Sequence, residues 1–121
     1  MNQTKTNIAE ERRYRARYLG VNGASPTLEI GSEGFVVTRT GEGAYLATWS
    51  TNPGTFVGWV PPGFGAATPA DLKGYTAVRD TYDSATKSLA FVVYDSSFTA
   101  ADLIANQYMD LEFIFAASSV N

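Results

Sequence analysis

Arg12, Arg13, Arg15 and Arg17, interleaved with Tyr14 and Tyr18, are the densest run of chemically capable side chains in this chain. Planar guanidinium forks bond carboxylates and phosphates bidentately, so such a run can grip an acidic surface. A helix would scatter these cations around its axis. An extended segment would put Arg13, Arg15 and Arg17 on one face, with Arg12, Tyr14, Ala16 and Tyr18 on the other. Two destinations compete for the arginines: a partner subunit, or the acidic groups of the chain itself. Residues Met1 to Arg17 hold five cations against two carboxylates, a balance of +3, while the rest holds four against ten, or −6. This asymmetry predicts an anchoring arm, residues 1–18, ahead of an acidic body, residues 19–121. Nucleic acid is not the expected target, because a −6 body repels a polyanion and offers no basic face of its own.

A second candidate is the aromatic stretch Phe56 to Phe64, where Trp59, Pro61, Pro62 and Phe64 can form a tip that enters a partner or stacks on a sugar. The same rings would serve equally well in a core. Carboxylates come third. Asp80 and Asp83 flank a turn, and Asp110 and Glu112 lie two apart on one strand face. Paired carboxylates can hydrolyse glycosides and a carboxylate turn can hold calcium, but neither spacing here matches a diagnostic motif. Gly41-Glu42-Gly43 lacks the lysine and the following helix of a phosphate cradle. The chain has no histidine and no cysteine. That removes imidazole bases and triads, thiolates, disulfides and Cys/His metal sites. No catalytic residue, metal ligand or cofactor is assigned.

The elements that must position these residues read as strands. From Gly34 onward, short runs alternate near period two and are broken by Gly, Pro, Asn, Asp and Ser. Phe35–Thr40 and Ala44–Trp49 flank Gly41-Glu42-Gly43, which predicts a hairpin whose loop needs a positive φ. Tyr45, Ala47 and Trp49 share one face of its second strand. Thr51 to Gly54 predicts a turn into a strand over 55–60. Pro61 to Pro69 is expected to be a long loop, since three prolines exclude a central strand. Further strands are expected over 74–82, 89–94 and 108–116, with short ones near 18–21 and 27–30. Met109, Leu111, Phe113 and Phe115 form the buried face of the last. Residues 100–107 are expected to make one or two helical turns capped by Thr99. The sum is one all-β, antiparallel, jelly-roll-like sandwich of about seven or eight strands, without a second domain or internal repeat. No apolar run approaches the roughly 18 residues that span a bilayer, and the polar start does not suit a secretory signal, so no membrane partner is expected.

Val36 to Tyr45 followed by Asn52 to Gly58, with Leu89 to Asp95, an Ala/Asp/Leu connector and Met109 to Phe115, resembles small structural proteins of tailed bacteriophages. Some of these are capsid decoration (cement) proteins with jelly-roll-like folds. The resemblance covers most of residues 34–116 and leaves out the charged segment before residue 18. It implies a non-enzymatic protein that binds the outer surface of the major capsid protein shell and stabilises the head by bridging neighbouring subunits. A homodimer or homotrimer is expected, located on the virion surface after synthesis in the host cytoplasm. The alternative is a carbohydrate- or receptor-binding module of a phage fibre or tail, with Trp59 and Phe64 stacking on sugar rings. A hydrolase built on Asp110 and Glu112 is a third class.

Overall fold

Alternation of apolar and polar side chains sets which face of each strand turns inward. The computed structural model describes residues 10–31 and 34–117. In it the chain forms strands β1 (Glu10–Leu19), β2 (Thr27–Gly31), β3 (Phe35–Gly41), β4 (Ala44–Trp49), β5 (Thr55–Ala66), β6 (Thr76–Arg79), β7 (Ser88–Tyr94) and β8 (Gln107–Ala117). They build two antiparallel sheets, ordered β2-β1-β8-β5 and β3-β4-β7-β6. The expected all-β sandwich is therefore what forms. Strands β3-β4-β7-β6 and β5-β8-β1 follow the ABED and CFG orders of an immunoglobulin-type sandwich, with the N-terminal β1 in the place of closing strand G. Strand order by itself carries no function.

The core lies between the sheets. Phe35, Val37, Tyr45, Ala47, Trp49, Leu89, Phe91 and Val93 come from one, and Ala16, Tyr18, Met109, Leu111, Phe113 and Phe115 from the other. Trp49 is its centre, with ring centroids of Phe35, Phe113 and Phe115 at 5.3, 5.1 and 5.0 Å. Burying each of these large side chains contributes about 1.5–3 kcal/mol.

The expected hairpin is β3–β4, and Gly43 takes the required left-handed φ of 71°. A Cβ there would lie 2.6 Å from the Ala101 nitrogen, so only glycine fits. Asn52 Oδ1 accepts the Gly54 N–H at 3.0 Å, closing the expected turn before β5.

The structure departs from five expectations. The division at residue 18 cuts through β1, which pairs with β8 along its whole length and with β2 along its second half. Residues 10–18 are thus part of the domain and supply core side chains; residues 1–9 of the expected arm lie outside the described residues. The expected strand near 18–21 is the end of this one. The proline stretch is not a loop: β5 runs through Pro61 and Pro62 to Ala66. It can do so because β5 is an edge strand, and its register shifts between Val60 and Gly63, leaving both prolines in a bulge. No helical turn forms over 100–107. There the amide hydrogens that would close it go to side chains: Leu103 N–H to Tyr45 Oη (2.8 Å), Ile104 N–H to Gln107 Oε1 (2.9 Å) and Ala105 N–H to Asn22 Oδ1 (3.0 Å). The strand expected over 74–82 shortens to β6.

Candidate functional site

The alternation of β1 puts Tyr14, Ala16 and Tyr18 inward and Arg13, Arg15 and Arg17 outward, as an extended segment must. Tyr14 packs edge-on against Trp49 (5.9 Å) and Phe115 (5.7 Å), and Tyr18 is buried beside Phe35. Arg12, on the same side as Tyr14 and opposite Phe115 in the ladder, is exposed. The outward arginines meet the acidic residues of β8. Arg17 donates two bonds to Asp110, at 2.7 and 3.1 Å. Arg15 Nε lies 3.3 Å from Glu112 Oε1, and Arg13 bonds both Glu112 and Glu11. Hydrogen bonds donated to these carboxylates hold the Arg13 and Arg17 guanidiniums even more firmly protonated than usual. Arg17 also lies over the Tyr108 ring, 4.1 Å from its centroid. Of the two destinations open to the arginines, the chain's own carboxylates therefore hold Arg13, Arg15 and Arg17. Asp110 and Glu112, the hydrolase candidates, are engaged in the same ladder. Among the described residues, no three His, Cys, Asp or Glu side chains come together to hold a metal.

The aromatic stretch is spread along the β5 edge. Trp59 is half-buried against Phe91 (5.6 Å) and Phe113 (5.9 Å), and Phe64 is half-buried against Tyr75 (5.5 Å). Neither forms a projecting tip. Pro61 is exposed and Pro62 half-buried. Their bulge forms one wall of a groove of about 510 Å³ on the outer face of this sheet. Ile30 of β2 stands in the opposite wall, with Arg15 and Arg17 across the floor.

The outer face of the other sheet has the opposite character. Val36, Thr38 and Thr40 of β3, Ala44, Leu46 and Thr48 of β4, Ser88, Ala90, Val92 and Tyr94 of β7, and Thr76 and Val78 of β6 make up this face, alternating with the inward residues. None is charged. Val36 and Val78 are 57% and 61% exposed. At the rim, Asp80 follows β6 in register opposite Ala90, donating its N–H to the Ala90 carbonyl at 2.7 Å, so charge stands at one edge of the face and not among its strand positions. A solvated strand face ordinarily carries charge, so a flat uncharged one marks a contact surface. Sequence reasoning missed it because the face exists only once these four strands lie side by side. Its signal was the lack of any charge at alternate positions of the β3, β4 and β7 runs.

A second missed feature is Phe98. It is 81% exposed and sits at φ 59°, a left-handed conformation that bulky residues rarely adopt. Asp95 enforces it: its Oδ1 accepts the Ser97 and Thr99 amides at 2.8 and 3.1 Å, and its carbonyl accepts Phe98 N–H at 3.0 Å. An aromatic residue in the polar run Asp95-Ser96-Ser97-Phe98-Thr99 was the available clue.

The loops at this end of the sandwich are tied together by two polar side chains, buried Gln107 and half-buried Asp102. Gln107, 2% exposed, donates to the Asp71 carbonyl (2.9 Å) and accepts from Ile104 N–H (2.9 Å) and Tyr75 Oη–H (3.0 Å). Asp102 Oδ1 accepts from Arg39 Nε (2.9 Å) and Gly43 N–H (2.8 Å). The hydrogen bond from Arg39, helped by that from Gly43, holds the Asp102 carboxyl below its ordinary pKa against the opposing effect of burial. Satisfied networks of this kind rigidify the loops they join. No helix among the described residues is long and apolar enough to cross a membrane. The chain matches no known family model, and no match was found among curated proteins or solved structures.

Proposed function

We propose that this protein is a non-enzymatic structural component of a phage particle, binding the outer surface of the major capsid protein shell and bridging neighbouring subunits. The observation that carries this reading is the outer face of β3-β4-β7-β6, whose strand positions carry no charge. The resemblance to tailed-phage structural proteins runs through three of the strands that build this face: β3, β4 and β7. Binding acts by linkage: contacts made only with the assembled shell stabilise that shell, and many copies on one lattice add their effects. The pairing of Arg13, Arg15 and Arg17 with the chain's own carboxylates weakens the case for the arginine run as the docking arm. The sugar-binding alternative has weaker support, because the Trp59 and Phe64 rings are half-buried against other aromatics.

The test is co-sedimentation with shells of the cognate major capsid protein at low and high salt. Apolar docking predicts saturable binding that persists at high salt. Leu46→Lys or Ala90→Lys, each placing a charge mid-face, should abolish it while leaving the melting temperature within a few degrees. Binding that salt abolishes and these substitutions spare would refute the face assignment. No binding under any condition would sink the capsid reading.

A further inference from the structure

The outer strands of the two sheets are β2, β5, β3 and β6. An outer strand offers its unpaired backbone groups to any other strand unless something blocks them. β5 is blocked by the Pro61–Pro62 bulge and a second register shift. β2 is kinked by a bulge at Glu29, the residue left over where Arg17 pairs with Ile30 and Tyr18 with Leu28. The free side of β3 is crossed by Ser25, whose Oγ accepts the Arg39 N–H at 2.9 Å. β6 has no such guard. Its register with β7 is unbroken from Thr76 to Arg79, and no proline interrupts it.

Alternation fixes which groups of β6 are free. In an antiparallel pair, each residue turns its N–H and C=O to the same side. Asp80 N–H bonds the Ala90 carbonyl at 2.7 Å, so Val78, two residues back, also faces β7. Ala77 and Arg79 therefore turn their backbone groups away from the sheet, and among the described residues nothing bonds them. We infer that β6 pairs antiparallel with β6 of a second copy of this chain, about a two-fold axis at Val78.

The strand is self-complementary in this register. Ala77 of each copy stands opposite Arg79 of the other, so their free N–H and C=O groups satisfy one another. Val78, 61% exposed, meets its own counterpart. Thr76 stands opposite Asp80, a hydroxyl against a carboxylate. The Arg79 guanidinium lies over the Phe56 ring of its own copy, 4.8 Å from the centroid. A second β6 supplies every one of these matches by symmetry. The seam joins two four-stranded sheets into one of eight, and their outer faces become continuous across it.

This inference stands apart from shell binding and is tested on the purified full chain without shells, so the two can fail separately. The seam is short, so free copies associate weakly, and a cross-link reports it best.

The chain has no cysteine, so one introduced thiol reads the register. Opposed residues at a site like Val78 have Cα atoms about 4.5 Å apart, within the roughly 4.4–6.8 Å that a disulfide spans. Val78→Cys should form a disulfide dimer under mild oxidation. Thr76→Cys, equally exposed, should do so at least about tenfold more slowly, because its two thiols would lie roughly 13 Å apart along the seam. Ala77→Pro removes an N–H that β6 does not use in pairing with β7. Added to Val78→Cys, it should slow cross-linking to the Thr76→Cys level while leaving the melting temperature within a few degrees. Equal cross-linking of Val78→Cys and Thr76→Cys, whether both fast or both absent, would overturn the inference. So would cross-linking of Val78→Cys that Ala77→Pro leaves untouched.

Discussion

Arg17 and Asp110 stand directly opposite each other in the β1–β8 ladder and are joined by two hydrogen bonds of 2.7 and 3.1 Å. Cross-strand neighbours of opposite charge support the pairing they sit on. With Glu112 between Arg13 and Arg15, they form a ladder that binds the basic N-terminal strand to the acidic C-terminal strand. Three of the N-terminal cations are thus matched by carboxylates inside one sheet.

Deletion of residues 1–17 should therefore unfold the protein. It removes most of β1 from between β2 and β8 and uncovers Leu111, Phe113 and Phe115. The expected outcome is loss of a cooperative thermal transition and of near-ultraviolet dichroism. A free arm would leave both unchanged, so an intact melt would refute the placement of β1.

Asp102 should confer an acid limit on stability. Its carboxyl titrates below its unfolded value of about 3.9 because Arg39 and Gly43 bond the ionised form. Its contribution is full above that value and is lost as pH falls through the lowered folded pKa. Asp102→Ala leaves the buried Gly43 N–H without its acceptor, at a cost of about 1–3 kcal/mol at pH 7. Melting temperatures of wild type and variant should converge towards pH 2; a constant gap would contradict the assignment.

Tyrosine burial should set the alkaline limit. Burial raises the pKa of Tyr45, Tyr75 and Tyr82. Their neutral forms are favoured in the fold, so stability is full below about pH 10 and falls as pH rises through the folded values. The Tyr82 hydroxyl is buried without a partner among the described residues. Tyr82→Phe should be neutral or slightly stabilising and should flatten the alkaline decline. Tyr45→Phe instead orphans Leu103 N–H and should cost about 1–3 kcal/mol. Urea titrations at pH 7 and pH 10.5 distinguish the two.

Gln107→Leu should loosen the loop end. It removes bonds to Asp71, Tyr75 and Ile104 at once, costing about 3 kcal/mol, because unsatisfied buried groups cost roughly 1–3 kcal/mol each and do not add fully. The Ile104 amide should exchange with deuterium faster than amides of β4. Equal exchange in variant and wild type would show that the hub does not hold the loops.

Period-two alternation was enough to identify β3, β4, β7 and β8 and the inward residues of β4 and β8, because an antiparallel strand with one buried face writes that face into every second residue. Trp49 and Phe113 were legible as core for this reason. Turn chemistry marked the β3–β4 and Asn52–Gly54 turns, since left-handed φ selects glycine. Local pattern also showed that Arg13, Arg15 and Arg17 would share a face. What it could not supply was the partner of that face. Charge counting along the chain sees Arg17 and Asp110 as 93 residues apart, and only strand pairing makes them neighbours. The same holds for Pro61 and Pro62, tolerable in a strand solely because tertiary pairing put β5 at an edge. Residues 100–107 had helical composition, but Tyr45, Asn22 and Gln107 claimed their amides from distant or folded-back positions. Sequence by itself determined which side chains leave water; the tertiary structure decided which strands lie side by side, because hydrogen-bond partners across a sheet are chosen by the packing of the whole sandwich.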